Sequence, residues 1–202
     1  MIDTLLDIFR AGGWVMYPLA LMSLLSVTFI VERLIYLLPL AGSNAPDRLS
    51  TAMASRDRAR SLAEGGRTVY HRFVAALFEA SGDRPLTDAH AIRAVNTVRP
   101  EIDRFRATLA TIITAAPLLG ILGTVTGIIE SFGLLGGETV SDPAQLASGI
   151  SQALYTTAFG LGIAIATLFP NAIIRSRAQR VLSRLESIAL AADDAEPDIS
   201  PG

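Results

Sequence analysis

The chain has 202 residues, of which half are hydrophobic, and it carries 17 arginines, no lysine, 19 acidic residues and a net charge of −2. It has no cysteine, so disulfides and thiolate metal sites are excluded. A mean hydropathy of +0.44 is high for a soluble domain. The apolar residues are also unevenly spread. Stretches 11–31, 107–129 and 143–174, of 21, 23 and 32 residues, contain no charge. A helix crosses the hydrocarbon core with about 20 apolar residues. A soluble helix would show a polar residue at every third or fourth position, and these stretches do not. The pattern predicts an all-α integral membrane protein with three transmembrane helices.

Taken in chain order, the first element is a short segment, 1–13, outside the membrane. Asp3 and Asp7 lie where a signal peptide would be positive, and Glu32-Arg33 follows the apolar run directly, so 14–38 is read as a retained transmembrane helix. Trp14 and Tyr17 suit the outer interface and Tyr36 the inner one. Eleven of the 17 arginines lie between Arg48 and Arg106 and four more between Arg175 and Arg184. The positive-inside rule therefore puts 39–106 and 175–202 in the cytoplasm, with the N-terminus out and the C-terminus in. Within the cytoplasmic helical domain, 43–66 is polar and arginine-rich and reads as a loop with short helical pieces. From Thr87, a candidate N-cap, the spacing of Ile92, Val95, Ile102, Phe105 and Leu109 predicts a helix running into the second span with a kink at Pro100.

The second span is 107–131, followed by an outer loop, 132–149, and a third span, 150–174. Beyond it, Ile174, Ala178, Val181, Leu185 and Ile188 recur at helical spacing and predict a cytoplasmic helix over 175–192. The arginines beside that stripe read as a solvated face with interfacial anchors, lipid or nucleic-acid recognition being the lesser reading. Spans two and three are thus expected to extend into the cytoplasm and pack there. The acidic tail, 193–202, contains two prolines and reads as disordered.

At 100° per residue, Ala116, Gly120, Gly123, Thr124, Gly127 and Ser131 share one sector of the second helix, with Glu130 at its edge. On the third, Gly149, Gln152, Ala153, Thr156, Gly160, Ala164, Thr167 and Asn171 fall on one side, with Thr157 bordering it. Ile150, Leu154, Leu161, Ile165 and Leu168 lie opposite and should face lipid. Small residues four apart, as in Gly120-xxx-Thr124 and Gly123-xxx-Gly127-xxx-Ser131, let helix backbones approach closely in a membrane. Two readings stand at this level: helix packing through Gly120, Gly123, Gly127 and Gly160, or packing combined with an ion path. Pro117 marks a candidate kink in the second span. Thr124 and Thr157 each fall five residues outward of their span midpoints, roughly 7 Å at the helical rise; Glu130 and Gln152 lie roughly 15 Å outward. Glu130 reads either as an interfacial anchor bonded to Gln152 or as an entry or exit point for an ion. Threonine hydroxyls donate and accept but do not titrate near neutral pH. If the chain conducts, its titrating carboxylate must come from a partner helix.

Enzyme chemistry finds no support. His71 and His90 read as isolated loop histidines without a second ligand at metal spacing, and there is no phosphate loop and no serine–histidine arrangement in the spans. No metal, cofactor or nucleic-acid partner is expected.

The segments "TIITAAPLLGILGTVTGIIESF" and "GISQALYTTAFGLGIAIATLFPNAIIR" closely resemble the ExbB/TolQ/MotA family of ion-driven motor subunits, and "YPLALMSLLSVTFIVERLI" is similar to that family's N-terminal helix. The resemblance covers all three spans, about two-thirds of the chain, and little of the middle cytoplasmic stretch. It implies a homopentamer around two copies of a single-span partner of the ExbD, TolR or MotB kind, whose transmembrane aspartate takes and releases the ion. It implies an inner-membrane ring that rotates about the partner pair and passes energy to a TonB-like transducer. Thr124 and Thr157 match the pore-lining threonines of that family. Gln152 stands where some relatives have a glutamate, which leaves the partner aspartate as main proton carrier. Three spans resemble the ExbB and TolQ branches, with ExbB favoured, more than the four-span flagellar stators. A non-conducting oligomeric scaffold is the alternative of a different class.

Overall fold

The computed structural model describes residues 9, 12–82, 84–133 and 143–194. Among these the chain is helical, without strands. A 3-10 turn, Gly13–Val15, is followed by α1 (Met16–Ala41), α2 (Ala45–Ala52), α3 (Arg56–Glu64), α4 (Val69–Ser81), α5 (Asp88–Ile102), α6 (Arg106–Gly133) and α7 (Pro143–Asp194). The expected periplasmic start of the chain, the centre of the 132–149 loop and most of the expected disordered tail lie outside the described residues. The chain divides into two compact units, one of Met1–Glu32 with Phe105–Ile173 and one of Arg33–Arg104 with Ile174–Gly202.

Three helical stretches are long and apolar enough to cross a membrane: Gly13–Ala41, Arg106–Gly133 and Gly149–Ala191, with mean hydropathies of 1.9, 2.0 and 1.7. The first unit is built from them. Its small apolar core joins Val15, Met16 and Leu19 to Ile112 and Ala116 of α6 and Ile163 of α7. Leu118, Ile121, Val125 and Ile129 of α6, and Leu154, Leu161, Ile165 and Leu168 of α7, stay exposed. This is the arrangement lipid permits, because an outward leucine costs nothing there. Exposed hydroxyls in these helices satisfy themselves. Thr28, Thr111, Thr114 and Thr126 each donate to the carbonyl four residues back, at 2.8, 3.0, 3.3 and 3.0 Å.

The expected continuous helix from Thr87 into the second span is corrected. Helix α5 ends at Ile102 and α6 begins at Arg106. Pro100 lies inside the last turn of α5 and does not interrupt it. The break falls at Phe105, whose φ of +61° takes the backbone out of the right-handed helix. That ring stacks on Phe29 of α1, with centroids 4.2 Å apart, and the contact offsets part of the backbone strain. The second span therefore does not continue as one rod, whereas α7 runs unbroken for 52 residues. At the helical rise that is about 78 Å, far more than the roughly 30 Å of hydrocarbon. Helical structure also begins at Pro143, earlier than position 150, and α1 continues past 38 to Ala41.

The second unit is packed by large side chains. Phe73, Val74 and Leu77 of α4, Ala94, Val98 and Ile102 of α5, and Val181, Leu185 and Ile188 of α7 are all buried. Of the apolar residues whose spacing marks α5, Ile92 is 63% exposed, and the covered stripe includes Ala94 and Val98. Ala94, Val98 and Ile102 recur every four residues along one stripe, from which Ile92 is displaced by about half a turn. The 43–66 stretch folds into α2 and α3. Both histidines lie on helices and not in loops. His90 occupies the third position of α5 and accepts on Nδ1 from the Thr87 backbone N–H at 3.3 Å, closing the N-terminus that Thr87 caps. His71 lies in α4, with Nδ1 2.6 Å from Thr68 Oγ1.

A polar node ties this unit together. Arg33, only 2% exposed, donates to the Glu101 carbonyl at 2.7 Å and lies over the Tyr36 ring. The Glu101 carboxylate in turn receives the Tyr36 hydroxyl and Arg72. Burying a guanidinium is expensive unless it finds polar partners, and here one nitrogen meets a backbone carbonyl while the group rests on a ring.

Candidate functional site

The site lies where α6 and α7 come closest, and glycine sets that approach. A Cβ at Gly120 would stand 2.8 Å from the Thr156 carbonyl and 2.9 Å from Thr157 Cα; one at Gly160 would stand 2.4 Å from the Ala116 carbonyl. At Gly123 it would meet Thr156 Oγ1 at 2.5 Å, and at Gly127 the Ala153 Cβ at 2.9 Å. Each of these distances is shorter than a side chain tolerates, so Gly120, Gly123, Gly127 and Gly160 are among the positions at which the two helices come close, as is Gly149 against Ser131. Pro117 lies in the same stretch, and α6 remains helical through it. Lacking an N–H, Pro117 leaves the carbonyl of Ile113 without its helical donor.

Against this seam sit three hydroxyls. Thr156 is 1% exposed, whereas Thr124 and Thr157 are half-buried. Thr124 and Thr157 are hydrogen-bonded to each other across the helix pair. Around them three protons are shared between two backbone carbonyls and the hydroxyl oxygens themselves. Thr157 reaches the Gly120 carbonyl at 3.0 Å, and Thr156 reaches it at 3.0 Å and the Ala153 carbonyl at 2.7 Å. Thr124 reaches the same two carbonyls at 3.1 and 3.2 Å. Each hydroxyl has one proton to give. The Thr124–Thr157 pair can therefore be ordered in either sense without leaving a proton unbonded. A polar group with interchangeable partners is suited to pass a hydrogen-bonded species along. Unlike the threonines that bond only within their own helix, these three bridge two helices.

The remaining candidates are more dispersed. Glu130 is exposed, one turn or more from the hydroxyls along α6. Gln152 lies in α7, but its side chain is outside the described residues, as is any pairing of it with Glu130. No group of three or more metal-binding side chains occurs among the described residues.

Ser26 and Thr167 are a cross-helix pair that sequence reading missed. Both are buried, at 3% and 1% exposure, and their hydroxyls lie 2.6 Å apart, linking α1 to α7. Thr167 belongs to the small-residue stripe, and Ser26 is one of three serine or threonine residues, with Ser23 and Thr28, in the first uncharged run. The only available signal was that a serine inside a lipid-spanning helix needs a partner.

A family model described as the MotA/TolQ/ExbB proton channel family matches residues 66–187. The chain belongs to this family. It is 41% identical over 174 residues to a Synechocystis protein named ExbB-like 1, covering 81% of this chain and 68% of that one. The biopolymer transport protein exbB1 of Vibrio cholerae is 33% identical over 183 residues, 86% of this chain and 80% of its own length. The Tol-Pal system protein TolQ of Pseudomonas aeruginosa is 31% identical over 102 residues, half of this chain and 44% of that protein. The family match and the three apolar helices make this a multi-pass membrane protein of a channel and transport motor family, which is not a known enzyme class.

Proposed function

We propose that the chain is the ring-forming subunit of an ion-driven motor in the bacterial inner membrane, with its N-terminus outside and its C-terminus in the cytoplasm. Five copies surround a pair of single-span, ExbD-like partners. The partner's transmembrane carboxylate carries the proton, and Thr124 and Thr157 line its path. The energy drives outer-membrane transport through a TonB-like transducer. The observation that carries this reading is the Thr124–Thr157 hydroxyl pair at the glycine seam of α6 and α7. Hydroxyls can hydrate the passage, but they cannot titrate through a cycle. Moving one charge down 100 mV releases about 2.3 kcal/mol, so work of several kcal/mol needs more than one ion per step or a larger gradient.

Thr157→Val and Thr124→Val test it. Each keeps the shape and removes the hydroxyl, and each should abolish energy-dependent uptake while the oligomer still assembles on native gels. Uptake at the wild-type rate in both variants sinks the assignment. A TolQ-like role in the cell envelope is the second reading, favoured by the likeness to TolQ proteins. It predicts that the same variants impair envelope integrity and leave uptake intact.

A further inference from the structure

The arginine-rich stretch before α4 has no role in the reading above. It folds into α2, α3 and the turn leading into α4, and these border a cleft open to solvent. One lobe, of about 460 Å³, is lined by Asn44, Arg48, Ser61, Thr68 and His71, with Leu49 beneath. A second lobe, of about 570 Å³, shares Asn44 and Arg48 and adds Asp47, Thr51 and Arg58. Both volumes fall in the range of roughly 300–1,000 Å³ typical of small-molecule sites.

The lining is cationic and rich in donors. Among the described residues, neither Arg48 nor Arg58 has a carboxylate within ion-pair distance. His71 is fixed in place. Its Nδ1 is bonded to Thr68, and its ring lies where a Cβ on Gly66 would come within 2.1 Å of Cδ2. Nε2 is left as the polar atom of the ring with no assigned bond. Burial first, and the nearby Arg48 charge second, hold the His71 pKa below its ordinary value, as expected where positive charge is uncompensated. The rim is held as well: Arg184 donates to the Ser43 carbonyl at 2.9 Å. The one carboxylate of the cleft, Asp47, lines only the second lobe.

We propose that this cleft binds a small phosphate-bearing anion, with Arg48 and Arg58 as its charge partners and Asn44, Ser61 and His71 as its hydrogen-bond partners. Guanidinium forks match phosphate oxygens in pairs, and hydroxyl, amide and imidazole groups complete the shell. The same chemistry would recognise a soluble phosphate compound or a phospholipid headgroup.

The test is calorimetric titration of the purified full chain in detergent with inorganic phosphate and with pyrophosphate. Saturable binding is expected, weakened about tenfold or more in Arg48→Gln and tightened in Asp47→Asn. Arg58→Gln supplies the same information should Arg48→Gln fail to keep its far-UV helicity. Repetition in nanodiscs of phosphatidylcholine, with or without about one-third phosphatidylglycerol, identifies the source. Pyrophosphate binding displaced by phosphatidylglycerol means a headgroup site, and binding indifferent to it means a soluble ligand; either supports the proposal. No saturable binding of either anion at millimolar concentration overturns it, as does binding that none of the three variants changes. The result is independent of uptake, so it stands or falls apart from the motor assignment.

Discussion

The two units solve the same packing problem with opposite materials. In the membrane-spanning unit only 22% of each span's most apolar window is buried, and the contact between α6 and α7 is made through glycine, threonine and alanine. In the other unit, rings and long aliphatic chains such as Phe73, Leu77, Leu185 and Ile188 fill an interior from which solvent is excluded. Water rewards hiding a leucine; lipid does not, so the spans gain from close backbone approach and from shared hydroxyl bonds. The single helix α7 changes style along its length, from Ala153, Thr156, Gly160 and Ala164 to Val181, Leu185 and Ile188 on the covered face.

This contrast can be broken from either side. The largest effect belongs to Gly160→Leu, which drives a side chain into the Ala116 carbonyl; oligomer on native gels should vanish, while the equivalent change at exposed Gly162, with open space around it, should be tolerated. Equal behaviour of the two would remove the seam from the account. Next is Leu185→Ala, which empties a fully buried site and should cost about 2–5 kcal/mol, read as a lowered midpoint in chemical denaturation followed by circular dichroism. Ser26→Ala should cost less, about 1 kcal/mol, because only one hydroxyl bond is lost and Thr167 keeps its own bond to the Ile163 carbonyl at 2.7 Å. Steric-trap unfolding in bicelles measures it. Smallest is a pH effect. The lowered pKa of His71 means the unfolded chain binds its proton more readily. His71 therefore adds stability that is fully present above the ordinary value of 6.5 and is lost as pH falls through the lower folded value. His71→Gln should flatten the denaturation midpoint against pH below 6.5; an unchanged slope would contradict the cause assigned to the shift.

Much of this was legible in the residue order, for stated reasons. Apolar length marks a span, and a 100° projection places Gly120 with Thr124 on one face of α6 and Leu154 with Leu161 on the opposite face of α7 from Thr156. Both are properties of one helix alone. Spacing alone did not show which face of α5 is covered: Ile92, one of the residues that marked the helix, is exposed. It also could not see that Phe105 would leave the helix, because a left-handed phenylalanine has no composition signal and depends on Phe29 stacking from a distant helix. Arg33 appeared as a border charge, yet it is buried against the Glu101 carbonyl, 68 residues away.

Hydrophobic length, arginine placement and periodicity thus determined three helices, their candidate membrane segments and the small-residue faces, since each follows from local spacing and from what lipid admits. Tertiary structure decided which threonines become partners. Thr111, Thr114 and Thr126 are the same chemical group as Thr124 and Thr157, but each turns its hydroxyl back on its own helix. Thr124 and Thr157 meet because glycine brings α6 and α7 close enough for a hydroxyl to reach across.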